Sequence, residues 1–172
     1  MTRTIQFSEY GGPELLRVVD APMLTAGPGQ VRIAVRAAGV NPIDSKIMQG
    51  FMREGMPLAL PAGLGSDVAG VVDQVGADVT AFHVGDEVMG SSLTPAIAEY
   101  ALADSANLVR KPAEVSWEVA GSIAGAGGTA WSVLNRLQVR PGETLLVHAA
   151  AGGVGTFAVQ LAVARGVSVI GT

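Results

Sequence analysis

The residues with the most chemical potential lie late in the chain, at Gly152-Gly153-Val154-Gly155. An apolar run from Thr144 to His148 precedes them and reads as a buried strand of a parallel sheet. After them, Val154, Phe157, Ala158, Leu161, Ala162 and Arg165 recur at helical spacing, Gly166 closes that helix, and Val167 to Ile170 reads as the next strand. In such a unit the helix presents unpaired backbone N–H groups and the positive end of its dipole to the turn, so the turn can hold a diphosphate. Gly152 would let the phosphate approach the backbone, and Gly155 would let the helix pack closely on its strand. Ala150 occupies the first glycine position of the G-x-G-x-x-G pattern, leaving A-x-G-x-x-G, and a plain tight strand-to-helix connection is the competing reading. Ala150, Ala151, Gly152, Gly153, Val154, Gly155 and Thr172 form the candidate cofactor-binding set in this unit.

Other chemistries have less to work with. Cysteine is absent, so disulfides, thiolate nucleophiles and sulfur-based zinc sites are excluded, and the two histidines, His83 and His148, cannot form a metal site alone. A formal net charge of −4 gives no electrostatic reason to bind nucleic acid or an anionic membrane. No apolar run approaches the roughly 20 residues that span a bilayer, and the opening MTRTIQFSEYGGPELL lacks the apolar core of a secretory signal. A cytoplasmic protein is the expectation.

The elements that must position the glycine turn fall into two textures. With almost half of the 172 residues apolar, the chain can bury a sizeable core, and its 23 glycines imply many tight turns. From Arg3 to about Val115, short apolar stretches alternate with turn signals such as Gly27-Pro28-Gly29 and Val84-Gly85-Asp86, which predicts an all-β region. Strands are expected at Gln30 to Val35, Val68 to Val75 and Ile97 to Ala103, with a short helix from Ile43 to Gln49. After Lys111-Pro112 the pattern turns helical: Ser116 caps a helix to about Ile123, Gly127-Gly128 breaks it, and a second runs from Thr129 to Leu137. The domain boundary is placed at 121, giving domains 1–121 and 122–172. The acid or base that usually reads the ribose, about 20 residues past the glycine turn, would fall beyond Thr172. One strand–helix–strand unit also leaves apolar faces uncovered, so the chain is expected to be a piece of a longer protein.

Several segments together resemble the medium-chain dehydrogenase/reductase superfamily, and within it the zinc-free quinone oxidoreductases related to ζ-crystallin. They are Ala38-Gly39-Val40-Asn41-Pro42-Ile43-Asp44, Gly65-Ser66-Asp67-Val68-Ala69-Gly70-Val71-Val72, Gly85-Asp86-Glu87-Val88, Ala98-Glu99-Tyr100, Thr129-Ala130-Trp131 and Leu146 to Gly155. The resemblance implies a mixed fold: a GroES-like β-barrel domain, then the first βαβ unit of a Rossmann domain, with NADPH bound in the cleft between. NADH is the other choice for the cofactor. Zinc-dependent relatives place a cysteine near Asp44 and a histidine in a Gly-His-Glu segment. Here Ser45 lies nearby and Ser66 stands at the histidine position, which implies redox chemistry without zinc. Hydride transfer to a quinone or an activated alkene needs positioning and electrostatic help more than a Lewis acid.

The resemblance also implies candidate residues, each with a plainer reading. Asn41 matches a cleft asparagine near the nicotinamide and ribose, or is an ordinary turn residue before proline. Lys46 could pair with a cofactor phosphate or be solvated, and the Thr129 hydroxyl could bond the carboxamide or act as an N-cap. Asp44 could orient substrate or is a turn residue, Asp67 reads as a turn residue, Tyr100 as core or barrel surface more than proton donor, His148 as a satisfied structural histidine, and Trp117 and Trp131 as packing residues at the domain junction. No general acid is assigned. The expected function is NADPH-dependent reduction of a small quinone or enone, in a protein that is homodimeric at full length. The alternatives are a non-catalytic scaffold or binding module and an enoyl-reductase segment of a larger enzyme.

Overall fold

The computed structural model describes residues 1–172, which divide into two compact units, Met1–Ser122 and Ile123–Thr172. In the first unit β1 (Thr2–Phe7) pairs antiparallel with β2 (Arg17–Ala21), and β3 (Gln30–Gly39) is followed by helix α1 (Pro42–Met48). Five more strands complete it: β4 (Ala62–Gly63), β5 (Asp67–Val75), β6 (Glu87–Ser91), β7 (Tyr100–Asp104) and β8 (Leu108–Arg110). The sheets run β2-β1-β4 and β7-β3-β5-β6-β8, and a bridge between Thr4 and Ala98 ties β1 to the segment ahead of β7. This is the β-rich first domain that the turn pattern predicts.

Alternation sets its core. Val31 and Ile33 of β3, Val68 and Val72 of β5 and Val88 of β6 are fully buried and meet Phe82, Ala101, Ala103 and Leu108. Each such aliphatic side chain contributes about 1.5–3 kcal/mol of transfer free energy. Register shifts between Arg32 and Ile33 and between Val35 and Ala37 bend β3. Arg32 forks onto Asp73, with Nε and Nη2 each 2.9 Å from a carboxylate oxygen, and its guanidinium lies 5.5 Å from the Tyr100 ring centre. Tyr100 is therefore half-buried on the barrel surface. Glu99 accepts the Arg3 backbone N–H at 2.9 Å and its guanidinium at 2.7 Å, and these bonds hold the Glu99 carboxyl below the ordinary carboxylate range. A second cluster of Phe7, Met48 and Leu64, with Tyr10, Ile47 and Leu58 against it, fastens α1 to the sheet.

The helix α2 (Trp117–Arg136) crosses from the first unit into the second, where β9 (Thr144–Val147), α3 (Gly153–Ala164) and β10 (Ser168–Gly171) follow. Strands β9 and β10 pair in parallel from Thr144↔Ser168 to Val147↔Gly171, as a βαβ unit requires. Leu134 of α2, Ala162 of α3 and Val167 form the buried centre, with Leu145 and Val169 packed on it. No helix is long and apolar enough to cross a membrane.

Three sequence expectations are corrected here. The break at Gly127-Gly128 does not occur: α2 is one helix of 20 residues, and neither glycine takes a positive φ. A glycine in a helix interior costs only about 1 kcal/mol relative to alanine, too little to interrupt 20 residues whose face is packed. At Gly127 a Cβ would crowd the Ile123 side chain at 3.2 Å and make only ordinary contact with Phe157, at 3.6 Å. Gly128 has nothing within 4 Å of where a Cβ would stand. Gly128→Ala should therefore stabilise the protein by about 1 kcal/mol. A rise in the urea unfolding midpoint checks this, and a fall would mean that the position is not an open helix interior.

The second correction concerns the strand expected to be buried from Thr144 to His148. It ends at Val147, and alternate residues face outward, with Leu146 and Ile170 more than half exposed at 55% and 57%. The pair is only two strands wide, and Leu145 and Val169 already supply its packed face. His148 accordingly lies exposed in the following turn, with its Nδ1 2.9 Å from the Thr172 hydroxyl. Third, Trp131 is 54% exposed, with the Arg165 guanidinium stacked 4.5 Å from its ring centre, so it does not act as a buried packing residue. Trp117 is half-buried, and the Lys111 ammonium stands 4.7 Å from its ring centre.

Candidate functional site

In the second unit the chain leaves β9 through His148 and Ala149, which holds a left-handed φ of 54°, and the Gly152 N–H closes the turn on the Ala149 carbonyl at 2.9 Å. Helix α3 begins at once. Its first turn is closed by the Thr156 N–H, which donates to the Gly152 carbonyl at 2.8 Å, so the N–H groups of Gly153, Val154 and Gly155 precede the helical ladder. The N-cap, Gly152, supplies no side-chain hydrogen bond, and the first turn carries no acidic residue. The positive end of the helix is therefore open to an anion.

The glycines differ in what they are for. A Cβ at Gly155 would run into the Ala149 carbonyl oxygen and stand 2.8 Å from the Ala150 Cα, so the close approach of α3 to the turn requires glycine there. Gly152 has an ordinary φ of −75°, and a Cβ would meet only the Ala149 oxygen, at 3.2 Å. Protein packing asks little of that position, whereas a phosphate approaching the amides asks for it to be bare. Thr172 lies beside the turn: its carbonyl accepts the Ala150 N–H at 3.1 Å and its hydroxyl is 2.9 Å from His148 Nδ1. Ala150 is half-buried, Ala151 is exposed, and a cavity of about 340 Å³ opens next to the turn, lined by Leu134, Leu146, His148, Ala149, Gly152 and Val154. The open amides of Gly153 to Gly155 and the bare Gly152 fit a diphosphate, whereas the cavity itself is mostly apolar.

In the first unit Asn41 is the N-cap of α1. Its backbone N–H donates to Asp44 Oδ2 at 2.7 Å, while Asp44 Oδ1 accepts the Gly65 N–H at 3.0 Å, so one buried carboxylate ties the helix start to the segment ahead of β5. The Asn41 side chain donates through Nδ2 to Asp67 Oδ2 at 3.0 Å. Lys46 is exposed in the last turn of α1. Beside α1 lies a second cavity of about 350 Å³, lined by Ile43, Asp44, Ile47, Met56, Leu58 and Leu93 among others, with Ser66 at its edge. Its walls are mostly aliphatic, as suits an uncharged organic molecule.

Two sequence readings change at this level. Thr129 is neither the start of a helix nor an N-cap: it sits inside α2, and its hydroxyl donates to the Gly125 carbonyl at 2.6 Å. Asp67 does not bond backbone in a turn. It opens β5, is 1% exposed, and bonds the Asn41 side chain. One signal in the sequence pointed that way: a carboxylate directly before the apolar run Val68-Ala69-Gly70-Val71-Val72 must be buried with that strand and must find a donor.

A model of the alcohol dehydrogenase GroES-like domain matches residues 27–134. The quinone oxidoreductase of Pseudomonas aeruginosa is 43% identical over the whole of this chain and 53% of its own length. Among solved structures, the quinone oxidoreductase of Coxiella burnetii matches with a TM-score of 0.91 and 39% identity, over 99% of this chain and 56% of that one. The Escherichia coli quinone oxidoreductase, solved as a complex with NADPH, matches with a TM-score of 0.84 and 34% identity, over 99% and 52%. The chain thus spans about half the length of the curated relatives it matches.

Proposed function

Because the chain belongs to the medium-chain dehydrogenase/reductase superfamily and carries its alcohol dehydrogenase GroES-like domain, we propose that it is the NADPH-binding part of an oxidoreductase that reduces a small quinone or α,β-unsaturated carbonyl by metal-free hydride transfer. The observation that carries this is the uncapped start of α3, where three successive amides and a bare Gly152 form a cradle for a diphosphate. The NADPH complex of the E. coli relative supports the choice of coenzyme.

Bound NADPH would supply the hydride. The chain's own residues then have three tasks. The Gly153, Val154 and Gly155 amides hold the diphosphate, with the positive end of α3's dipole, about half a charge, contributing about 0.3–1 kcal/mol at an exposed site.

 Asn41 orients the ribose or carboxamide, and exposed Lys46 pairs with a phosphate. The largely aliphatic cavity beside α1 takes the acceptor. The lack of any cysteine, and Ser66 standing where zinc-dependent relatives carry a histidine, support a reaction without zinc, because a hydroxyl is a poor zinc ligand.

The test is made on the complete gene product. It should oxidise NADPH when 1,4-benzoquinone or a short enone is added, with chelator present and without added metal. A protein that binds NADPH and turns over neither acceptor would refute the proposed reaction.

A further inference from the structure

The side-chain amide of Asn41 has a fixed polarity, and Asp67 is its cause. A carboxylate offers only acceptors, so the Asn41 Nδ2, 3.0 Å from Asp67 Oδ2, must face it and Oδ1 must turn the other way. That oxygen carries two lone pairs, one more than the N3 amide of α1 could use, and so retains a place for a donor from outside the protein. The backbone of Asn41 is held separately, through its N–H to Asp44 Oδ2 at 2.7 Å. Main chain and side chain are thus locked by two different carboxylates.

The surroundings of Asp67 are built around this bond. Gly39, opposite it on β3, must be bare on two counts: a Cβ there would lie 2.6 Å from the Gly121 carbonyl oxygen, and also 2.9 Å from Asp67 Cβ and 3.0 Å from Oδ2. The other oxygen, Oδ1, is buried and is the one buried side-chain polar atom without a hydrogen-bond partner. An unsatisfied buried oxygen is unfavourable, and packing alone would be served better by an apolar residue at the head of a strand whose next residues are Val68 and Ala69.

We propose that Asp67 is a positioning residue, which touches neither coenzyme nor acceptor but sets Asn41 as a hydrogen-bond acceptor toward a hydroxyl or amide donor of the bound ligand. It rests on the reading above, in which that ligand is NADPH and the donor is a ribose hydroxyl or the carboxamide.

The polarity can be reversed and restored. In Asp67→Asn the new amide can donate to Asn41 Oδ1 as readily as accept from Nδ2, so the orientation is lost, and the dissociation constant for NADPH should rise about tenfold. In Asn41→Asp combined with Asp67→Asn, the donor and acceptor exchange places. Position 41 again shows an oxygen to the ligand, and affinity should return to within about threefold of the wild type. Isothermal titration with NADPH on the complete gene product reads both, and thermal melting follows the fold. A purely structural Asp67 would lower the melting temperature and leave affinity unchanged in the single variant, or would show no recovery in the exchange variant, and either result overturns the proposal. Wild-type protein that fails to bind NADPH sinks the coenzyme reading, and this inference with it. Wild-type binding together with an Asp67→Asn constant within twofold of it sinks this inference alone.

Discussion

Gly155→Ala should abolish measurable NADPH binding and unfold the start of α3. The new Cβ would enter the Ala149 carbonyl oxygen and stand 2.8 Å from Ala150 Cα and 2.9 Å from Ala150 C, all backbone atoms that cannot swing aside like a side chain. Relief requires α3 to move off the turn or Ala149 to leave its left-handed φ of 54°. Overpacking of this kind typically costs about 1–3 kcal/mol, and moving the helix also misaims the three amides, so a loss of at least about 100-fold in affinity is expected. Gly152→Ala separates the two effects. Its φ of −75° suits alanine, and the one close contact, 3.2 Å to the Ala149 oxygen, needs a shift of only a few tenths of an ångström. The melting temperature should stay within a few degrees of the wild type while affinity falls about 10- to 100-fold, because the methyl group stands where the phosphate approaches. Calorimetric titration and thermal melting of both variants check the pair. Unchanged affinity in Gly152→Ala would reduce the turn to a tight connection and nothing more.

Much of this turn was legible in the sequence because its requirements are local. Periodicity placed β9, α3 and β10 to within a residue or two, and Gly166, with a φ of 76°, ends α3 as its position predicts. The same holds for β5, whereas the alternation from Gln30 to Val35 located the start of β3 but not its continuation to Gly39, past the register shift between Val35 and Ala37. What failed was decided by non-local packing. Gly127 and Gly128 read as a break, but α2 stays continuous because its packed face, with Leu134 against Ala162 and Val167, outweighs the small cost of two glycines, and no local propensity records that packing. The apolar run at Thr144 to Val147 announced a strand correctly yet could not say how many neighbours cover it. Asp67 was misread for the same reason: its partner Asn41 is 26 residues away, and only the pairing of β3 with β5 brings the two together.

Asp44→Ala should destabilise the first unit by about 2–4 kcal/mol, more than most single substitutions in it. The carboxylate is 5% exposed and accepts two backbone N–H groups, that of Asn41 at 2.7 Å and that of Gly65 at 3.0 Å. Hydrogen bonds to a charged acceptor contribute about 1.5–3 kcal/mol each, and deleting the carboxylate strands both donors. A seven-residue helix cannot hold itself in water, so α1 stays in place through this tie and through Met48 in the cluster with Phe7 and Leu64. Asp44→Asn is the informative companion. The amide keeps one acceptor oxygen and the same shape, so it should recover part of the loss, whereas a residue important only for filling space would show no difference between asparagine and wild type. Urea unfolding monitored by circular dichroism gives both values, and a loss below about 1 kcal/mol in Asp44→Ala would show that water replaces the carboxylate at these two amides. Because Asn41 is the N-cap that Asp44 holds, loosening this tie also frees the side chain that Asp67 orients. The stability of α1 and the aim of Asn41 are therefore coupled through one short segment. Asp44→Ala should weaken NADPH binding in the complete gene product even though Asp44 donates nothing to the coenzyme.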